Sequence, residues 1–260
     1  EDEDSLSERL NANRAVKPLD AAVIRLPHIS NFTDFMPLEQ HELLGVRYVQ
    51  RARELGRPDL VILPGTKNTM EDLLWLRQNG LEAAALKLAH AGTPILGVCG
   101  GYQMLGQTLD DPQGTESGRP MALSGRGHLA PRTVFDAQRR RMQVRAAAQG
   151  ELFGGARLTG YEIHNGRTEV GGAPFCVLED GTPEGCVNRN VFGTYLHGLF
   201  DSGELTGALV RMLCARKGIS PTQTKLMSMA DYRQQQFDLL ADGVRQALDM
   251  GAVYRAINTA

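Results

Sequence analysis

Cys99 stands between an apolar run and two glycines, in the stretch Pro-Ile-Leu-Gly-Val-Cys-Gly-Gly-Tyr-Gln-Met-Leu-Gly that spans positions 94 to 106. Ile95, Leu96 and Val98 have the signature of a short buried strand, and Tyr102, Met104 and Leu105 continue as a helix. The stretch therefore predicts a strand, a sharp turn and a helix, with a thiol at the turn. Such a turn lifts its central side chain above the sheet, and the flanking glycines tolerate the strained backbone. The start of the helix adds positive potential and open N–H groups, both of which favour thiolate over thiol. The residue types and their order point to a cysteine nucleophile. The competing reading is a small core cysteine beside a glycine turn.

A cysteine nucleophile needs a base that takes its proton and later returns it to the leaving group. Of the six histidines, His197 is the best placed, because the run Val-Phe-Gly-Thr-Tyr-Leu-His from Val191 is a second apolar strand that ends on a polar residue. A third strand, Asp59 to Leu63, runs into Pro64, Gly65 and Thr66. If it neighbours the Cys99 strand in a parallel sheet, the N–H groups of Gly65 and Thr66 join that of Gly100 as an oxyanion hole. Lys67 beside Thr66 lacks the glycine spacing of a phosphate-binding loop.

The elements that must position these residues follow from pattern and punctuation. Residues 21–26 read as the first strand, and residues 45–50 as the second. Between them lies a polar and aromatic loop in which His28, Asn31, Thr33 and Asp34 are candidates for ligand contacts or for loop capping. Helical periodicity covers 69–77 and 81–90, with Asn79-Gly80 as a stop and restart. The alternation predicts a mostly parallel sheet with helices on both faces. From Gly125 to Val191 the pieces are short, β-like and turn-rich, which fits an antiparallel extension. His164, Asn165 and Gly166 mark a loop there that faces the site. Arg139, Arg140 and Arg141 read as a solvated face or a hairpin tip. Helices at 204–217 and 230–248 close the chain.

With 28 basic and 30 acidic residues among 260, no charge bias favours nucleic acid or an anionic membrane. No apolar run has the length of a membrane span, and the expectation is a soluble, cytoplasmic protein. Cys99, Cys176, Cys186 and Cys214 are too scattered for a disulfide scaffold or a zinc site, so all four read as free thiols, and no metal is expected. Residues 1–20 read as a linker or cut end, and 21–260 as the catalytic domain with its terminal helices.

Gly-Val-Cys-Gly-Gly-Tyr-Gln-Met-Leu-Gly and Gly-Thr-Tyr-Leu-His-Gly-Leu-Phe resemble the cysteine and histidine motifs of class I glutamine amidotransferase domains of the cobyric acid synthase group. The loop from Ile24 to Phe35, the run from Leu63 to Thr69, and Gly160-Tyr161-Glu162-Ile163-His164 resemble the same family, in the same order. The resemblance covers roughly residues 20–200. It implies a flavodoxin-like glutaminase fold and hydrolysis of L-glutamine through a Cys99 thioester. His197 would be general base and acid, and Gly65, Thr66 and Gly100 would form the oxyanion hole. Gln103, Tyr161 and His164 become candidate glutamine contacts, although Tyr161, Glu162 and His164 would equally serve to brace the strand behind His197.

The resemblance also implies a partner, an N-terminal ATP-binding synthetase domain that uses ATP and Mg and acts on a corrinoid. That domain is not in this chain, which carries no cofactor expectation of its own. In many class I amidotransferases a glutamate two positions after the histidine orients its ring. Here that position is Leu199, so a Cys–His dyad, Asp201 or the synthetase domain would take that role. The alternatives are a glutaminase partner of another ATP-dependent amide ligase, a catalytically silent docking module, and a peptide-directed cysteine hydrolase.

Overall fold

The computed structural model describes residues 16–125, 127–150, 153–169, 171–220 and 228–258, so the expected linker lies almost wholly outside the described residues. The parallel framework comes from four-to-six-residue apolar runs. Strands β1 (Leu19–Ile24), β2 (Leu44–Val49), β3 (Leu60–Leu63), β4 (Ile95–Val98) and β12 (Val191–Thr194) form one sheet in the order β12-β4-β3-β1-β2. Strand β11 (Cys186–Asn188) pairs antiparallel with β12 at one edge. Every residue of β3, β4 and β12 is buried, as expected for strands covered on both faces.

Alternate side chains of β1 feed two separate cores. Leu19, Ala21 and Val23 pack with Leu205, Leu209 and Leu213 of helix α6 (Glu204–Lys217) on one face. Ala22 and Ile24 pack on the other face with Met70, Leu73 and Leu76 of α3 (Thr69–Gln78) and with Leu81 and Ala85 of α4 (Leu81–His90). The period of two along the strand produces this division. Short helices α1 (Met36–Gln40) and α2 (Ala52–Leu55) flank β2, and α5 (Gly100–Leu105) follows the cysteine.

The extension is a second, mostly antiparallel sheet. It contains β5 (Thr108–Asp111), β6 (Met121–Ser124), β7 (Arg132–Ala148), β8 (Arg157–Glu169), β9 (Cys176–Leu178) and β10 (Pro183–Glu184). Strand β5 runs parallel to β7, and β7 and β8 are much longer than the short pieces read from the sequence. His164, Asn165 and Gly166 lie within β8 and not in a loop, paired against β7. Arg139 to Arg141 sit along β7 and not at a hairpin tip, because β7 continues to Ala148. Cys176 and Cys186 do not oppose one another. Cys176 Sγ donates to Glu184 (3.3 Å) and Cys186 Sγ to the Gly171 carbonyl (2.9 Å), and all four cysteines are free thiols.

The histidine strand also departs from a single run. It breaks at Tyr195, and β13 (Leu196–His197) leaves the first sheet to pair with β8 of the second. Buried Glu184 holds this break, accepting from the Tyr195 N–H (2.6 Å) and the Thr194 hydroxyl (2.7 Å). Burial pushes the Glu184 carboxyl above its ordinary pKa, and those hydrogen bonds oppose the shift. Helices α6 and α7 (Met229–Ala247) lie where expected, and a further helix α8 (Met250–Asn258) follows.

Glycines on both sides of Cys99 are required by close approach. A Cβ on Gly101 would stand 2.0 Å from the Leu63 carbonyl oxygen, and one on Gly97 would stand 2.7 Å from that of Gly101. Gly101→Ala is expected to destabilise the fold by about 1–3 kcal/mol or more through overpacking, lowering Tm by several degrees in a thermal melt. A melt indistinguishable from that of the parent would contradict this packing.

Candidate active site

Cys99 caps the first turn of α5 with φ 51° and ψ −110°, one of three non-glycine residues with positive φ among those described. A side chain in that region costs of order 1–3 kcal/mol and persists only where the surroundings impose it. Here the Cys99 N–H donates to the Thr194 carbonyl (2.8 Å) and the Gly101 N–H to the Pro64 carbonyl (3.1 Å), which pins the turn between β12 and β3. The thiol is partly accessible, with Sγ 3.5 Å from the Ile163 carbonyl.

His197 arrives from the second sheet and is buried. Its Nδ1 donates to Asp34 Oδ2 (2.6 Å), while Asp34 Oδ1 accepts the Gly198 N–H (3.0 Å). A carboxylate can only accept, so Nδ1 carries the proton and Nε2 is left for the thiol. Burial disfavours the charged imidazole, but hydrogen bonds and negative charge from Asp34 and Cys99 prevail and push its pKa up to about 10. The ring is fixed on its face by Tyr161, stacked at 5.3 Å, and the Tyr161 hydroxyl accepts from Asn31 (2.7 Å).

The acid that orients His197 is thus Asp34, from a 3₁₀ turn (Phe32–Phe35) after β1, 163 positions upstream. Asp201, the acid singled out from the sequence, pairs instead with Arg233 (3.7 Å). Asp34 was visible only as one polar residue of a loop. The carbonyl of Asn31, itself at φ 53°, accepts the Asp34 N–H (2.9 Å), an aid to turning the carboxylate inward that sequence spacing does not reveal.

Beside the thiol, the loop after β3 meets the start of α5. A Cβ on Gly100 would lie 3.3 Å from the Thr66 nitrogen, and one on Gly65 would lie 3.2 Å from His197 Cε1. The N–H groups of Gly65, Thr66 and Gly100 have no backbone acceptor among the described residues. Buried Asp72 holds the loop in place by accepting from the His28 N–H (3.3 Å), His28 Nδ1 (2.8 Å) and the Thr66 hydroxyl.

Cys99, His197, Thr66, Lys67 and Tyr161 line one cavity of about 430 Å³, within the common range for small-molecule sites. Gln103 reaches it, but its amide is engaged at both ends, by the Thr69 hydroxyl (3.1 Å) and by Tyr195 (3.2 Å). His164 lines it too, bonded to Glu162 (2.7 Å) and stacked on Tyr195 (3.7 Å). Glu116 is a lining residue that sequence reading passed over as part of a polar loop. Asp111 shapes that loop, accepting from the N–H groups of Thr115, Glu116 and Ser117. Glu116 in turn accepts the Thr69 N–H (2.7 Å), and burial raises its pKa.

A strained cysteine, a carboxylate-oriented histidine and open N–H groups at one end of a parallel sheet define the class I glutamine amidotransferase arrangement. The fold is that of solved members of the class. PurLQS from Thermotoga maritima superposes with a TM-score of 0.57 at 18% identity, covering 78% of this chain and all of that one. A crystal structure of a glutamine amidotransferase gives 0.52 at 17% identity over 76% of this chain and 99% of the other. Residues 20–205 match the CobB/CobQ-like glutamine amidotransferase domain, and the chain belongs to that family of glutamine-hydrolysing enzymes.

Among curated proteins it is similar to the cobyric acid synthases of Ruminiclostridium cellulolyticum, 42% identical over 271 residues, and of Salmonella typhimurium, 42% over 269. These matches take in 99% and 98% of this chain and 52% of each relative. The chain therefore spans about half the length of the relatives it matches.

Asp34→Asn keeps the shape of the side chain but loses the charge that supports the imidazolium. It is expected to slow alkylation of Cys99 by a glutamine-mimicking electrophile at least 10²-fold, on the order seen when a triad acid is neutralised. Asp201→Asn is expected to leave that rate within about twofold. The raised His197 pKa also has a stability consequence. Its contribution is fully present below pH 6.5 and lost as pH rises through about 10. The urea midpoint advantage of the parent over His197→Gln should therefore shrink between pH 6 and pH 10.5, and a constant difference would count against the pairing.

Proposed function

We propose that this chain is the glutaminase half of a cobyric acid synthase, acting in cobalamin biosynthesis. The observation that carries the reading is the Asp34–His197 hydrogen bond beside the Cys99 turn, in a cavity sized for an amino acid. The Cys99 thiolate attacks the side-chain amide carbon of L-glutamine, and the oxygen takes up negative charge against the N–H groups of Gly100 and of Gly65 or Thr66. The imidazolium of His197 gives its proton to the departing nitrogen, releasing ammonia and leaving a glutamyl thioester on Cys99. His197, now neutral, removes a proton from water, which attacks the thioester. Glutamate leaves and the thiol is restored. Glu116 supplies negative charge for the α-ammonium group of glutamine. Tyr161 braces the His197 ring.

The ammonia passes to an ATP-binding synthetase domain, where ATP and Mg would activate carboxylates of adenosylcobyrinic acid a,c-diamide for amidation to adenosylcobyric acid. The support for this step is the similarity to cobyric acid synthases over nearly the whole chain. The setting is the cytoplasm, in keeping with the absence, among the described residues, of any helix long and apolar enough to cross a membrane.

Glutamate release from L-glutamine, measured with the chain alone and with the ATP-binding half added, tests the reading. The expected result is turnover that vanishes in Cys99→Ala, with Glu116→Gln raising KM for glutamine about tenfold at little cost in kcat. No turnover under either condition, together with no labelling of Cys99 by a glutamine analogue, would overturn it.

A further inference from the structure

Among the described residues, most of the exposed large apolar side chains lie in or between the last two helices. Phe237, Leu240, Leu248, Tyr254 and Ile257 are each more than half exposed, and Leu239 and Val244 are exposed with them. Phe237, Leu240, Val244 and Leu248 recur at intervals of three, four and four, which makes one seam along α7. Tyr254 and Ile257 stand three positions apart on α8, both exposed.

Only the first turn of α7 is held to the core among the described residues. The Met229 N–H donates to the Asp201 carbonyl (2.9 Å), Met229 is buried, and Arg233 pairs with Asp201. Beyond it no described side chain of α7 or α8 is buried. Away from the seam, Gln234 bonds to Asp238 (2.9 Å) and Arg245 to Asp242 (2.8 Å) along the helix, with exposed Leu239 among these polar neighbours. A lone helix of this kind is marginal in water, so its stability comes from an apolar surface that covers the seam.

Three features decide what that surface is. Residues 229–258 carry Asp231, Asp238, Asp242 and Asp249 against Arg233, Arg245 and Arg255, with no lysine, unlike the basic face of a membrane-surface helix. The seam covers less than two heptads before the backbone turns at Leu248 (φ −118°, ψ 147°), too short for a self-pairing coiled coil. Similarity to the two cobyric acid synthases takes in 98–99% of the chain, so α7 and α8 fall within the stretch shared with those longer proteins.

We propose that α7 and α8 are a docking arm whose seam seats in an apolar groove of the ATP-binding synthetase half. The proposal rests on the reading of the chain as one half of a two-domain synthase. The start of the arm is anchored to Asp201, four positions beyond His197.

The test joins the half of the Ruminiclostridium cellulolyticum protein that this chain does not match to the full chain in one polypeptide, and follows amide hydrogen exchange. Joining should slow exchange across 237–257 at least tenfold relative to the chain alone. The double variant Leu240→Asp/Leu248→Asp should abolish that slowing while leaving the exchange of β1, β3 and β4 and the labelling of Cys99 as in the parent. Absence of slowing, or slowing that survives the double variant, overturns the proposal. Slowing that appears in the chain alone and grows with its concentration also overturns it, in favour of a second copy. Exchange does not depend on turnover, so loss of the glutaminase reading and loss of the docking arm are separate results.

Discussion

The whole site hangs on how closely two backbone segments approach at the end of β3 and the start of α5. No methyl group fits between Gly101 and the Leu63 carbonyl, so α5 must start directly against the loop after β3. That contact forces Cys99 into a positive-φ turn and sets the Thr66 and Gly100 N–H groups side by side. The strain is not relieved locally. It is held by hydrogen bonds to Thr194 and Pro64, from two different strands, and by fully buried neighbours on both faces of the sheet. A thiol held this way has little freedom to turn into the core, and reactivity follows from position.

Charge is arranged with the same economy. Among the described residues, Asp34 is the carboxylate hydrogen-bonded to the His197 ring, and it also fixes the next residue through the Gly198 N–H. Asp72 and Asp111 each gather several donors to shape a loop, mainly side chains at Asp72 and mainly backbone at Asp111. Glu184 does so at the point where the chain changes sheets. Four buried acids thus define the geometry around one cavity, and none of them lines it.

Much of this was legible in the sequence, for local reasons. Apolar runs ending in Gly-Val-Cys-Gly-Gly and Thr-Tyr-Leu-His identify strands and the residues at their ends. The helices at 69–78, 81–90 and 204–217 follow from periodicity and capping glycines. Asp34, Glu116 and Glu184 were not legible, because their roles depend on contacts made across long stretches of chain or between two sheets. Leu199 correctly signals that the usual acid is missing, but nothing local to it says where the replacement sits. The long strands β7 and β8 were hidden by their polar, charged faces, which dilute alternation into what reads as turns.

The break at Tyr195 places Cys99 and His197 on different sheets. Cys99 follows a strand of the parallel sheet, and His197 is paired to β8 of the second sheet. Their separation therefore depends on how the two sheets pack across the core they share, not on either sheet alone. A small slide of the second sheet would detune proton transfer while leaving every strand intact, much as a latch fails when a door sags although neither the door nor its frame is damaged.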